Sequence, residues 1–152
     1  MKVTQITHVN LIVDNLERAR NFYTNVLKLQ ELPAMKFDYP VQFYQLNETQ
    51  QLHLSEWNDN VSFRAHMCIE VDDFNQAFRT FKAMGIIDTK PWGKVRKLPN
   101  GNMQMFIRDP SGNLIEICHQ DSKSVDPDIF SDELFDENDT FVSGRNDPRG
   151  VR

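Results

Sequence analysis

The most constraining feature of this sequence is that its body repeats itself. Thr7–Asp14 aligns with Ala65–Asp72 at an offset of 58 residues, which matches His8 with His66. Two later pairs of segments align at offsets of 62 and 63: Val41–Tyr44 with Met103–Phe106, and Leu52–Leu54 with Ile115–Ile117. Small changes of offset are what loop insertions produce, and two copies are too few for a solenoid. The repeat therefore predicts one domain built from two similar halves.

Each half has the pattern of a strand, a helix and further strands. In residues 5–13 apolar and polar residues alternate, and an apolar stripe with helical spacing follows from Leu16 to Val26. The second half repeats this with a strand at 64–71, a helix ending near Gly85, and strands at 102–108 and 114–119. We therefore predict an α+β fold of two βαβββ modules, residues 1–58 and 62–120, in which each sheet packs helices on one face and leaves the other face free.

Composition excludes several classes of protein. The chain has 152 residues, of which 39% are hydrophobic and 26% charged, as in a globular domain. No apolar run is long enough for a membrane span, and no basic patch suggests a nucleic-acid partner. We therefore expect a protein that binds neither membrane nor nucleic acid. Two cysteines, Cys68 and Cys118, cannot make a disulfide scaffold, so we also expect it to be cytoplasmic.

The last part of the chain, residues 121–152, differs from the body. It holds nine acidic and four basic residues and so carries the whole net charge of −5. We expect an acidic tail that is at most partly ordered, with a short helix from Asp128 to Phe135 and a mobile end from Ser143 to Arg152.

Strand parity places four titratable side chains on one face. On each of four strands the apolar residues alternate toward the helices, and one titratable residue per strand points the other way: His8, His53, His66 and Glu116. A half-exposed sheet face carries polar residues anyway, which explains any one of these positions. It explains poorly why three of the four histidines and a glutamate occupy equivalent positions of the repeat. Imidazole and carboxylate groups are ligands for Zn, Ni, Co, Fe or Mn, so we expect one divalent metal ion.

The same residues carry a resemblance to a known superfamily. Thr7-His8-Val9, Phe22-Tyr23, Ala65-His66 and the run from Phe106 to Glu116 are similar to the vicinal oxygen chelate superfamily. That superfamily includes glyoxalases, extradiol dioxygenases and bleomycin resistance proteins. The resemblance implies two βαβββ units around a metal cleft, with the metal ligands at the four positions named above.

The resemblance also implies an activity. We expect a glyoxalase-like metal-dependent lyase or isomerase that acts on a small oxygenated substrate, with Glu116 and His53 as catalytic residues. One alternative is an Fe(II)-dependent extradiol-type dioxygenase, although Phe106 stands where those enzymes place a tyrosine. The other alternative is a resistance protein that sequesters a small molecule.

Neighbouring residues complete the expectations for the site. Five side chains are candidates for the substrate pocket: Asn10, Trp57, Cys68, Phe106 and Cys118. Because the four ligand positions divide equally between the halves, the cleft closes either within one chain or across two. We expect a homodimer, which would also cover open strand edges.

Overall fold

The structure is a computed structural model that describes residues 1–59 and 61–137. The chain divides into two compact units, Met1–Val61 with Asp109–Asn113, and Ser62–Arg108 with the residues from Leu114 onward. Each unit is built around one βαβββ module. The predicted α+β fold of two such modules is therefore confirmed.

The first unit begins with strand β1 (His8–Val13) and helix α1 (Leu16–Asn21), which continues as a π-helical turn (Phe22–Val26). Asn15 caps α1, because its side chain accepts a hydrogen bond of 2.8 Å from the backbone N–H of Arg18. Three strands follow: β2 (Gln30–Leu32), β3 (Val41–Gln45) and β4 (Gln51–Glu56). The sheet order is β1-β4-β3-β2, with β1 parallel to β4 and the other pairs antiparallel.

The second unit repeats this plan. Strand β5 (His66–Glu70) leads to helix α2 (Phe74–Met84), which begins at the capping side chain of Asp73 and ends at Gly85. Gly85 adopts the left-handed conformation (φ +67°) that glycine tolerates best. The remaining strands are β6 (Arg96–Lys97), β7 (Met103–Arg108) and β8 (Leu114–His119), in the sheet order β5-β8-β7-β6.

Strand register shows how far the two modules correspond. Asn10 of β1 lies opposite His53 of β4, and Cys68 of β5 lies opposite Glu116 of β8. His8 and His66 therefore occupy equivalent places, two residues before these partners. On the neighbouring strand, Phe43 lies opposite His53 and Phe106 lies opposite Glu116.

This register corrects one part of the predicted repeat. The offset of 62 matched Phe43 with Met105, but the register matches Phe43 with Phe106, at an offset of 63. The prediction was wrong by one residue, and such a slip moves a side chain to the opposite face of the sheet. Phe43 consequently lies on the same face as His53 rather than in the core.

The turn between β7 and β8 belongs to the first unit. Asn113 donates a side-chain hydrogen bond of 2.8 Å to the backbone oxygen of Ile12, and the Ser111 hydroxyl donates one of 2.7 Å to Asp14. Gly112 adopts a φ of +88°, and a Cβ at its position would lie 3.3 Å from Val61. Both features favour glycine at this point of the turn.

Part of the acidic tail packs on the second unit. Helix α3 (Pro127–Phe130) is shorter than the helix predicted from Asp128 to Phe135, because a turn follows it and leads to a parallel bridge between Phe135 and Val95. Ile129 is buried, and Arg79 of α2 forms ion pairs with Asp126 and Asp128. The expectations for residues 138–152 lie outside the described residues.

The described part of the chain contains no helix that is both long and apolar enough to cross a membrane. Cys68 and Cys118 are free thiols.

Candidate functional site

The open face of the first sheet carries a stack of three rings. The imidazole of His53 lies between the imidazole of His8 and the phenyl ring of Phe43. The ring centroids of His8 and His53 are 4.3 Å apart with an interplanar angle of 14°, and those of Phe43 and His53 are 3.7 Å apart at 11°. The predicted residues His8 and His53 are therefore in direct contact, and Phe43 joins them.

Hydrogen bonds orient both imidazoles of this stack. His53 Nε2 lies 3.0 Å from the side-chain oxygen of Gln51, which is two residues away on the same face of β4. Because an amide oxygen only accepts, Nε2 carries the proton in this arrangement. His8 Nδ1 lies 3.2 Å from the hydroxyl of Thr7.

Partial burial changes the chemistry of His53. Its pKa is lowered from the usual value, first because burial disfavours the charged imidazolium and second because of the charge of His8. His53 is consequently a neutral imidazole at neutral pH, and its second nitrogen, Nδ1, carries a lone pair.

Further polar and aromatic groups lie on the first unit. The predicted pocket residue Asn10 accepts a hydrogen bond of 2.8 Å from the hydroxyl of Ser55. Trp57, another predicted pocket residue, is 48% exposed, and its ring centroid lies 5.1 Å from that of Tyr39. Phe37 lies between Tyr39 (5.4 Å) and Phe43 (6.1 Å), so a continuous series of rings leads from Trp57 to His53.

In the second unit, His66 and Glu116 form a close pair. His66 Nδ1 lies 2.8 Å from the backbone oxygen of Arg64 and therefore carries a proton, since a carbonyl only accepts. His66 Nε2 lies 3.0 Å from Glu116 Oε2. In neutral imidazole that nitrogen has a lone pair directed at a carboxylate oxygen. The contact is attractive only with a proton or a cation between the two atoms.

The carboxylate of Glu116 is held from its other side. Its Oε1 accepts a hydrogen bond of 2.7 Å from the side-chain amide of Gln104, whose own oxygen accepts one of 2.9 Å from Arg96 Nε. The contact with Gln104 leaves Oε2 directed at His66. Partners of this kind orient metal ligands in many proteins. Our sequence reasoning missed Gln104 and Arg96, although Gln104 shares the strand face of Phe106.

Aromatic rings surround His66. The predicted pocket residue Phe106 is buried and meets the imidazole edge-on, with centroids 5.1 Å apart and an interplanar angle of 88°. Trp92 approaches the same imidazole at 6.1 Å. Phe106 thus gives His66 an apolar neighbour, while His66 itself is exposed.

The two predicted pocket cysteines lie beside Glu116. The pKa of Cys68 is raised far above its usual range, first by desolvation, then by a hydrogen bond with Cys118 and by the negative charge of Glu116. Cys68 therefore remains a protonated thiol at neutral pH. A protonated thiol is a poor nucleophile and a poor metal ligand.

The four predicted ligands thus form two pairs, one in each compact unit. Within residues 1–59 and 61–137, no three side chains of His, Cys, Asp or Glu come together as a group that could hold a metal. Imidazole and carboxylate are both donor types that divalent metals accept. The facing atoms of His66 and Glu116 are 3.0 Å apart, which is also the length of an ordinary hydrogen bond. The rings of His8 and His53 are instead stacked face to face.

A family model matches most of this chain, and solved structures share its fold. Residues 5–117 match the model of the Glyoxalase/Bleomycin resistance protein/Dioxygenase superfamily. Among solved structures, a lactoylglutathione lyase from Agrobacterium tumefaciens is 24% identical, with a TM-score of 0.59 over 78% of this chain and 96% of that chain. A fosfomycin resistance protein from Listeria monocytogenes is 18% identical, with a TM-score of 0.63 over 80% and 94%. Comparison with curated proteins finds no match.

Proposed function

The chain belongs to the Glyoxalase/Bleomycin resistance protein/Dioxygenase superfamily, and from that premise we propose that it is a metal-dependent enzyme. Its proposed activity is that of a glyoxalase-like lyase or isomerase, acting on a small oxygenated substrate. The resemblance to a solved lactoylglutathione lyase supports the fold, and the chemistry of the two ligand pairs supports the activity.

In this proposal one divalent ion, Zn, Ni, Co, Fe or Mn, is held by His8, His66 and Glu116, and His53 is either a fourth ligand or a base beside it. Two or three imidazoles and one carboxylate form a donor set suited to these ions. A single carboxylate against a doubly charged ion leaves the site net positive, which favours an oxyanionic substrate.

The observation that carries the proposal is the orientation of His66. Its proton is on Nδ1 because Arg64 accepts there, and its Nε2 meets the carboxylate of Glu116 at 3.0 Å. A divalent ion held by His66 and Glu116 would offset the repulsion of the two lone pairs. The hydrogen bond from Gln104 to Oε1 holds the carboxylate of Glu116 with Oε2 facing His66, as outer-shell partners do for metal ligands.

The bound ion would supply Lewis-acid polarisation of a substrate oxygen. In this proposal the carboxylate of Glu116 would leave the ion to take a proton from the substrate, while Gln104 retains Oε1. His53, neutral at neutral pH, would accept or return a proton at Nδ1. The pocket would be lined by Asn10 and Trp57 and, in the second unit, by Cys68, Phe106 and Cys118, with the Cys68 thiol protonated. Two free thiols also suit a reducing compartment, so we propose a cytoplasmic location.

The test begins with protein purified without a histidine tag, stripped with a chelator and reloaded with each ion in turn. We expect one ion per chain and turnover of a thiol adduct of a 2-oxoaldehyde without oxygen uptake. Glu116→Ala should lose both, whereas Glu70→Ala, on the neighbouring strand β5, should keep both. Equal metal content in Glu116→Ala and wild type would refute the metal site. Fe(II)-dependent oxygen uptake with a catechol would instead show a dioxygenase, and tight binding without turnover would show a sequestering protein.

A further inference from the structure

The stack on the first sheet bears on the role of His53. A metal ion binds the in-plane lone pair of an imidazole nitrogen, at about 2.1 Å. The rings of His8 and His53 are nearly parallel, at 14°, with centroids 4.3 Å apart. An ion in the plane of the His8 ring therefore lies well outside the plane of the His53 ring. In this arrangement the two histidines cannot coordinate the same ion.

Two other side chains hold His53 in this position. Phe43 covers the opposite face of the imidazole, with centroids 3.7 Å apart at 11°. Gln51 accepts the proton of Nε2 at 3.0 Å, which occupies the nitrogen farthest from the backbone. A change of ring orientation toward an ion would break the hydrogen bond and both stacking contacts.

The second unit lacks this clamp at the equivalent positions. By register Glu116 takes the place of His53 and Phe106 takes the place of Phe43, and the ring of Phe106 lies at 88° to that of His66. Leu114 takes the place of Gln51, and its side chain has no hydrogen-bonding group. His66 and Glu116 remain within 3.0 Å of each other with their ligand atoms facing. The clamp is thus a property of the first sheet and not of the repeated fold.

We infer that His53 stands outside the coordination shell of the metal, clamped between Phe43 and His8 and fixed as the Nε2–H tautomer by Gln51, which leaves Nδ1 for the proton transfer proposed above. Its ring supports the ring of His8 and so sets the direction of the His8 nitrogens. The statement that His53 lies outside the metal's coordination shell rests on the proposed function. The tautomer of His53 and its packing between Phe43 and His8 do not depend on a metal.

The first experiment uses the metal-free protein. Long-range ¹⁵N–¹H spectra report the tautomer of each of the four histidines, which can be assigned with single variants. We expect His53 to carry its proton on Nε2, and we expect Gln51→Leu to give a mixture of tautomers. A proton on Nδ1 of His53 in the wild type, or an unchanged spectrum in Gln51→Leu, would overturn the clamp.

The second experiment measures Co²⁺ binding by the visible spectrum of the bound ion. His53→Phe keeps an aromatic ring against His8 but has no nitrogen, so we expect wild-type stoichiometry, an unchanged spectrum and affinity within about threefold. His53→Ala removes the support, and its affinity should fall about tenfold, within the range seen for outer-shell partners. Loss of binding in His53→Phe as complete as in Glu116→Ala would show that His53 is a ligand. Wild-type protein that binds no metal would refute the proposed function, and the tautomer would still decide the clamp.

Discussion

The phenol of Tyr23 donates a hydrogen bond of 2.8 Å to Asp109, which lies 86 positions farther along the chain. Tyr23 is fully buried in the first unit, and Asp109 begins the turn that joins β7 to β8. The same carboxylate accepts hydrogen bonds from the backbone N–H groups of Ser111 and Asn113. Burial, and then the charge of Asp109, raise the pKa of Tyr23 well above its usual value, so the phenol remains a donor. This bond therefore ties the turn to the core of the first unit.

Replacing Tyr23 with phenylalanine tests that bond. Tyr23→Phe should lower the free energy of unfolding by about 1–3 kcal/mol, because a buried hydrogen bond to a charged group is lost while the ring is kept. Urea denaturation followed by circular dichroism measures the change. Tyr39→Phe, on the loop before β3, is the matched control and should change stability by less than about 0.5 kcal/mol. Equal effects of the two substitutions would argue against a special role for the bond.

The contact between Ser111 and Asp14 predicts a dependence on pH. The Ser111 hydroxyl, followed by Arg18, holds the pKa of Asp14 below its ordinary value of 3.8. Because the folded pKa is lower than the unfolded one, the contribution of Asp14 is present above about pH 4 and is lost as the pH falls through the folded pKa. Ser111→Ala should raise the pKa of Asp14 in a carboxyl NMR titration, and Ser131→Ala, in the tail, should not. A titration curve of Asp14 that is identical in all three proteins would contradict this.

The bond between Gln104 and Glu116 predicts an effect on metal affinity. Gln104→Leu keeps the size of the side chain but removes the donor to Glu116 Oε1, so the carboxylate loses its fixed orientation. Affinity for Zn²⁺ should fall about 10- to 100-fold, the usual cost of an outer-shell partner. Competition with a chromophoric chelator measures the affinity. Gln120→Leu, at the end of β8, is the control, and a wild-type affinity in Gln104→Leu would mean that Glu116 needs no such partner.

Alternation of apolar residues was sufficient to predict much of this fold. On β1 and β4 the core residues Val13, Leu52 and Leu54 are fully buried, so the face of each strand could be read from the sequence alone. The π-helical turn at Phe22–Val26 was not predicted, because its apolar spacing resembles that of an ordinary helix. The place of the turn at Asp109 in the first unit was missed too, since a contact between distant residues leaves no local pattern.

The environment of the candidate site was harder to predict than its strands. The segment containing Phe43 was aligned one residue out of register with β7, and a slip of one residue reverses every side chain of a strand. The bond between Gln51 and His53 depends on side-chain rotamers, which alternation does not determine. Residue type and parity alone therefore predicted which histidines share a face, but not that two of them stack.

The buried residue Ile129 tests whether the acidic tail contributes to stability. Ile129 of α3 is 1% exposed in the second unit, and Arg79 and Lys82 of α2 form ion pairs with carboxylates on either side of it. Exposed ion pairs contribute little, so burial of the isoleucine should dominate. Ile129→Ala should cost about 2–5 kcal/mol in urea denaturation, whereas Ile6→Ala, at a position that is 64% exposed, should be nearly neutral. A neutral Ile129→Ala would mean that the tail is dispensable for folding.

The strand edges of the two sheets support the expected homodimer. In the described part of the chain, β1 and β5 lie at the edges of their sheets, and each carries one of the predicted metal ligands. The opposite edge of the second sheet, beside β6, is partly covered. Val95 exchanges backbone hydrogen bonds of 2.9 and 3.0 Å there with Leu134 and Asp136. Edges that expose unpaired backbone groups favour association, and two copies of the chain could cover them symmetrically.

Light scattering on the eluting peak at micromolar concentration should therefore give twice the chain mass of 17.8 kDa. Mixing His8→Ala with Glu116→Ala protein and measuring bound metal then shows where the ligands come from. If each ion takes ligands from two copies, the mixture regains metal that neither variant binds alone, because an intact set forms in the mixed dimer. A wild-type mass of one chain with metal still bound would contradict the dimer and would require all ligands to come from a single copy.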